Sequence, residues 1–264
     1  MTRPLLLLAA VLLAACSEAR GGDEAFGQRV RAYLLENPEV LEEAIQRLDQ
    51  KRAQTAAATQ SKALVSNRKA VEQDPRDPVV GNGPITVVEF FDYRCGYCKT
   101  AAPAVVDLVR TEPDVRVVFK ELPILPDRDG RLGVSERAAR LALAAKDTGK
   151  YLEVHRDLMA EKALDDAGIA RIARKHGLDP VALARAGQTP AVDDHLSDTQ
   201  ELARSLGVEG TPAFVVGDTM IPGADIAALR AAIAQKRGGR TAGSAAGTPA
   251  RTPAGATPSS PGAA

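Results

Sequence analysis

The chain has 264 residues, enough for one or two domains with a proper core, and 45% of them are apolar. Lys plus Arg and Asp plus Glu each number 34, so the formal net charge is zero, and neither a nucleic-acid surface nor an acidic solvating tail is indicated. Aromatic residues make up 3% with no Trp, which argues against a base-stacking surface, and beyond the N-terminus no stretch is apolar for long enough to cross a bilayer.

The first twenty residues, MTRPLLLLAAVLLAACSEAR, pair the positive Arg3 with a short apolar run from Leu5 to Leu13. That is the pattern of an export leader. Its end, Leu13-Ala14-Ala15-Cys16, looks like a bacterial lipobox, in which Cys16 takes a lipid and becomes the first mature residue. The alternative is ordinary cleavage, for instance after Ala19, with Cys16 discarded. Residues 1–16 are therefore read as signal and lipobox, and several acyl chains on one terminus anchor a protein durably.

Residues 17–75 are expected to be a mainly helical segment. Phe26, Val30, Tyr33 and Leu34 recur at helical spacing, and Asn37-Pro38 marks a break and restart, with Asn suited to capping and Pro to the first turn. Val40, Leu41, Ala44, Ile45 and Leu48 share a face of the second helix. From Gln50 to Ala63 the apolar face dissolves; a continuation toward Val71 has nothing in its sequence to hold it in a core. The stripe must be buried somewhere, and the polar connector after it favours association with other copies of the chain.

The stretch EQDPRDPVVGNGP, residues 72–84, reads as a boundary without regular structure. A buried strand (ITVVEFFDY), a helix opening at Cys95-Gly96-Tyr97-Cys98, and a second buried strand (VRVVFKELPIL) follow, a β-α-β unit. Five helices are expected near 134–147, 150–161, 168–176, 180–186 and 192–206. Ala213–Val216, a Gly217-Asp218 turn and Thr219–Ile221 form a hairpin, and a helix from Asp225 to Lys236 closes the domain. Residues 238–264 lack large apolar side chains and are expected to be disordered. The order of elements is a thioredoxin layout with a helical insertion over residues 76–237.

Cys95 and Cys98 carry the chemistry. A zinc site lacks a second cysteine pair, and the three histidines, His155, His176 and His195, are scattered through the insertion. His155 reads as packing within an insertion helix, His176 as a helix end and His195 as a surface residue. A structural disulfide across so short a loop restrains the unfolded chain little. A redox pair accounts for the placement: at a helix N-terminus the free N–H groups and the dipole stabilise a Cys95 thiolate, and Cys98 resolves the mixed disulfide. Thr211-Pro212 precedes the returning strand, where it opens either an ordinary trans strand start or a cis turn that offers backbone to a peptide. Glu89 lies inside an apolar run and Lys120 in the next strand; they are either a buried pair that passes a proton to and from Cys98 or exposed strand-end charges.

VVEFFDYRCGYCK, VVFKELPIL and GVEGTPAFVVGDTMIPG resemble the DsbA family of thioredoxin-fold thiol:disulfide oxidoreductases, most closely its ScsC/Com1-like branch. The resemblance covers roughly residues 84–237, and LLENPEVLEEAIQRL resembles the segment that precedes the catalytic domain in that branch. It implies an α/β, DsbA-like thioredoxin fold with a helical insertion and an N-terminal helical segment. It further implies Cys95 and Cys98 as the redox pair, Thr211-Pro212 as the cis-Pro loop, Gly96 and Tyr97 beside the substrate, and Glu89 with Lys120 as a buried acid and its neighbour. No cofactor is implied; protein thiols are the substrates, and a redox partner protein resets the pair. Gly96-Tyr97 departs from the Pro-His of strongly oxidising members, so the Cys95 pKa is expected to be lowered to roughly 4–6. The expectation is an exported, lipid-anchored periplasmic thiol:disulfide oxidoreductase, oxidase or isomerase. The alternatives are a Cu(I)-binding protein that uses the reduced pair, and a tethered interaction protein with a vestigial fold.

Overall fold

The computed structural model describes residues 24–127 and 133–245. The leader, Cys16 and the tail beyond residue 245 lie outside the described residues.

The chain divides into two units, one ending at Thr59 and the other starting at Gln60. In the first, α1 covers 24–36 and α2 (Glu39–Ser66) begins after the Asn37-Pro38 break. Asn37 serves the helix behind it: its Nδ2 donates to Tyr33 O at 2.9 Å, closing α1, and does not cap α2. Phe26, Tyr33, Leu35, Leu41, Ile45 and Leu48 are all exposed. The second unit begins with the last turns of α2 and continues through α3 (Arg68–Glu72) and β1 (Val79–Val80). It then follows β2 (Ile85–Phe91), α4 (Gly96–Thr111) and β3 (Val115–Glu121). The insertion holds α5 (Gly133–Lys146), α6 (Tyr151–Ala160), α7 (Asp166–Lys175) and α8 (Pro180–Gly187), and α9 (Pro190–Ser205) leads back to the sheet. The closing elements are β4 (Ala213–Val216), β5 (Thr219–Pro222) and α10 (Ile226–Ala245).

The five strands run in the order β1-β3-β2-β4-β5. β2 and β3 are parallel, while β1, β4 and β5 are each antiparallel to their neighbours. Each central strand buries every residue but one, as its mainly apolar sequence requires, and Glu89, Lys120 and Glu121 are buried along with the apolar side chains. Because side chains alternate, the sheet has two apolar faces. Val87, Phe91, Val117 and Phe119 meet α4, the insertion and α10 on one; Val88, Phe90, Val118 and Val215 meet the other layer.

That second layer corrects the expected boundary at residue 75. Leu64 from α2 and Val71 from α3 are each 1% exposed and pack with Phe90, Leu202 and Leu206. Each of these two helices buries one large apolar side chain against the sheet, with Ala63 packed beside them. The supposed irregular stretch also contains β1, and Gly83 lets the chain cross the Asp114-Val115 backbone where a Cβ would stand 2.0 Å from Asp114 C. The insertion helices fall within two residues of their expected ends. α10 runs to Ala245, past the expected end at Lys236 and into the stretch read as disordered. Extending a docked helix costs far less than nucleating one, so even the glycine-containing stretch from Arg237 to Ala245 follows it.

Candidate active site

Four residues separate β2 from α4, and the last of them, Cys95, is the N-cap of α4 with extended backbone (φ −69°, ψ 119°). That conformation turns the first-turn N–H groups toward its own side chain, and the Cys98 N–H meets Cys95 Sγ at 3.4 Å. Cys95 Sγ also lies 3.1 Å from Thr211 O, and the Thr211–Pro212 peptide is cis. Both cysteines are free thiols; Cys95 is 7% exposed and Cys98 fully buried. The Cys95 pKa is lowered to about 5, chiefly by hydrogen bonding from the Cys98 thiol, helped by Thr211 and by the Cys98 and Tyr97 N–H groups, against burial. Cys98 moves well upward, through its contact with Cys95 and then through burial. The two sulfurs thus divide into a thiolate at neutral pH and a protonated neighbour.

Asp92 fixes the loop and went unnoticed in the sequence. Its buried carboxylate accepts from Arg94 N (2.7 Å), Ser135 Oγ (2.8 Å), Ile124 N (2.9 Å) and Leu125 N (3.0 Å). Its own C=O accepts from Cys95 N at 3.1 Å. One side chain therefore ties the Cys95 loop to the β3 exit and to α5. Beneath it, Glu121 Oε1 accepts from the hydroxyls of Tyr93 (3.0 Å) and Tyr151 (2.9 Å), and the Tyr93 oxygen lies 3.1 Å from His155 Nδ1. Burial raises the Glu121 pKa well above the usual carboxylate range and lowers that of His155 to about 3. The only sequence signals were an acid beside a buried aromatic run (Asp92) and one at the end of a buried strand (Glu121).

The expected Glu89–Lys120 pair does not form. In the parallel register Glu89 stands opposite Phe119 and Lys120 opposite Phe90, so the two side chains leave opposite faces of the sheet. Glu89 shares the face of the cysteine pair, is fully buried, and its two oxygens have no hydrogen-bond partner among the described residues. Its pKa is raised to about 8, by burial first and then by the charge of Cys95. On the other face Lys120 Nζ meets Asp77 Oδ2 at 2.5 Å and donates to Ala70 O at 2.6 Å. His195, expected on the surface, is 3% exposed there, with Nε2 3.3 Å from Asp77 Oδ1. Gly96 has open space where a Cβ would be, and Tyr97 is 72% exposed at the tip of the pair. Lys99, next to Cys98, donates to Leu158 O, Met159 O and Glu161 O at 3.2, 3.4 and 2.5 Å, which ties α4 to the end of α6. Among the described residues no group of three or more His, Cys, Asp or Glu side chains is placed to hold a metal ion.

A β-α-β unit, an antiparallel hairpin and a dithiol at a helix N-terminus beside a cis proline define a thioredoxin-like oxidoreductase superfamily member. Residues 86–234 match the DSBA-like thioredoxin domain, and residues 24–55 match the copper resistance protein ScsC N-terminal domain. The chain belongs to the DSBA-like thioredoxin family, with the ScsC-type N-terminal segment. It is 43% identical to a thioredoxin-like oxidoreductase from Silicibacter pomeroyi DSS-3, over 65% of this chain and 98% of that one, with a TM-score of 0.60. Salmonella enterica Typhimurium BcfH is 33% identical over 83% of this chain and 98% of its own, with a TM-score of 0.69. A periplasmic thioredoxin-like protein from Salmonella enterica serovar Typhimurium is 33% identical, over 64% of this chain and 94% of its own, with a TM-score of 0.57. The chain spans 29% and 26% of the first curated relatives it matches, two Na(+)/H(+) antiporters of Salinispora tropica and Salinispora arenicola.

Proposed function

We propose that the protein exchanges disulfides with protein thiols in the periplasm through Cys95 and Cys98. The observation that carries this reading is the seat of Cys95 Sγ, at the first turn of α4 and 3.1 Å from Thr211 O. A thiolate there meets a peptide as soon as the peptide pairs with the Thr211 backbone. Cys95 attacks one sulfur of a substrate disulfide, and the other sulfur leaves as a thiolate. Cys98 then gives up its proton and attacks Cys95 Sγ. The substrate leaves as a dithiol, and the protein pair is oxidised by two electrons. The same steps in reverse oxidise a substrate dithiol, and a redox partner protein restores the starting state. Glu89, buried on the same face with a pKa of about 8, is suited to take and return the Cys98 proton near neutrality. Lys120, on the far face, takes no part in that step. Gly96 and Tyr97 border the docked peptide. The leader supports export and Cys16 a lipid anchor, and the exposed apolar side chains of α1 and α2 support association between copies.

Reduced wild-type protein should reduce insulin, and Cys95→Ser should abolish the activity. The alkylation rate of Cys95 should rise with an apparent pKa of about 5, against about 8.5 for a free cysteine. An ordinary pKa with no insulin reduction would remove the reading.

A second reading is favoured by the match of residues 24–55 to a copper resistance protein's N-terminal domain. The reduced pair would bind Cu(I), for which two soft thiolates are suited ligands. One Cu(I) per reduced chain, lost in Cys95→Ser and Cys98→Ser, without turnover of insulin or of a dithiol peptide, would establish it in place of exchange.

A further inference from the structure

Alongside the Thr211-Pro212 loop lies a cleft of about 400 Å³ whose walls include Gln60, Glu209, Met220 and Pro222. Gln60 stands near the end of α2, far in sequence from every other wall. Its Nε2 donates to Leu206 O at 3.4 Å and to Met220 Sδ at 3.1 Å, and its Oε1 makes no hydrogen bond among the described residues. Both contacts are weak: one is long, and the other ends on a thioether, a poor acceptor. A half-buried carboxamide held this loosely yields to any better partner. The Thr211 N–H also makes no hydrogen bond among the described residues, while its C=O faces Cys95. An extended peptide that pairs with Thr211 and brings its sulfur to Cys95 continues into this cleft.

We infer that Gln60 is a specificity-determining residue that touches the substrate. Its carboxamide leaves Met220 and hydrogen-bonds the peptide backbone one or two residues from the reacting cysteine. A neighbouring apolar side chain of the peptide then rests on Met220 and Pro222, where the flexible thioether adapts to its shape. Glu209, exposed at the rim, disfavours acidic neighbours. The occupant is an unfolded segment of a substrate protein. The inference rests on the exchange reading and adds which peptides that site takes.

The test uses three mixed disulfides of nitrothiobenzoate: with a cysteine peptide flanked by leucine, with one flanked by aspartate, and with mercaptoethanol, which has no backbone. The Cys95 thiolate of reduced protein attacks the peptide or mercaptoethanol sulfur, and coloured nitrothiobenzoate leaves. Cys98 then loses its proton and displaces the captured thiol, so the probe gains the two electrons that the protein pair loses. Wild-type protein should prefer the leucine peptide. Gln60→Ala, and Gln60→Leu of similar volume, should each slow both peptides about fivefold, the loss of one ordinary hydrogen bond, and leave the mercaptoethanol probe within about twofold. Glu209→Gln should narrow the gap between the two peptides. Equal slowing of all three probes, or no slowing of the peptides, would overturn the inference. Wild-type protein inert toward the mercaptoethanol probe would remove the exchange reading itself, and this inference with it.

Discussion

Glu89 and Asp92 lie three residues apart and show how environment divides two carboxyl groups. Asp92 is surrounded by donors, while Glu89 has none among the described residues. Asp92→Asn leaves a donor facing donors and should cost roughly 2–3 kcal/mol in chemical denaturation of the reduced protein. It should also slow insulin reduction, since the Cys95 loop loses its tie to residues 124, 125 and 135. Glu89 works in the opposite direction. Its folded-state pKa, about 8, lies above the ordinary value of 4.5, so the stability it contributes is present below the lower value and is lost as pH rises through the upper one. Glu89→Gln should therefore stabilise the fold above pH 8 by roughly 3–5 kcal/mol and slow the resolving step. Denaturation curves at pH 5 and pH 9, with single-turnover rates, check both. Cys95 has the contrary sign: its pKa is lowered from 9.0 to about 5, so its thiolate stabilises the reduced fold fully above the first value and not at all below the second. The reduced protein should lose stability on acidification across that window, and Cys95→Ser should lose less.

At the scale of elements, α2 serves two purposes along one continuous helix. Its first turns expose Leu41, Ile45 and Leu48, and its last turns bury Leu64. Leu64→Ala should destabilise the thioredoxin unit by about 2–5 kcal/mol, whereas Leu41→Ala should leave its thermal melting unchanged. Equal effects would mean that the helix is not divided in this way. On the same sheet face, Lys120 and Asp77 are both buried, so Lys120→Met alone strands a charge and should cost about 3–5 kcal/mol. The double variant with Asp77→Leu should recover most of that loss, which a double-mutant cycle of melting curves measures.

For the whole molecule, the division at Thr59/Gln60 sets where the chain can be shortened. A chain beginning at Gln60 should fold and keep its exchange rate with small thiols, because Leu64 and Val71 remain. One beginning at residue 76, the boundary read from sequence, should melt lower and expose the Phe90 face. Sedimentation of both against the longer chain reports whether residues 24–59 hold copies together.

The parallel β-α-β unit, the hairpin, the insertion helices and the cysteine pair were legible in the sequence, because their signals are local. A buried strand is a mainly apolar, β-branched run, a turn is a glycine beside an aspartate, and a dithiol needs a fixed spacing at a helix start. The partners of buried polar groups were not legible. Which face Glu89 and Lys120 take depends on strand register, a one-residue matter that separates them by the thickness of a sheet. His195, Asp77 and Leu64 are buried by elements far away in sequence, and Asp92 earns its place through donors from residues 124, 125 and 135. Residue order alone places the sulfurs along the chain; their surroundings come from the folded packing, because desolvation and hydrogen bonding act through space.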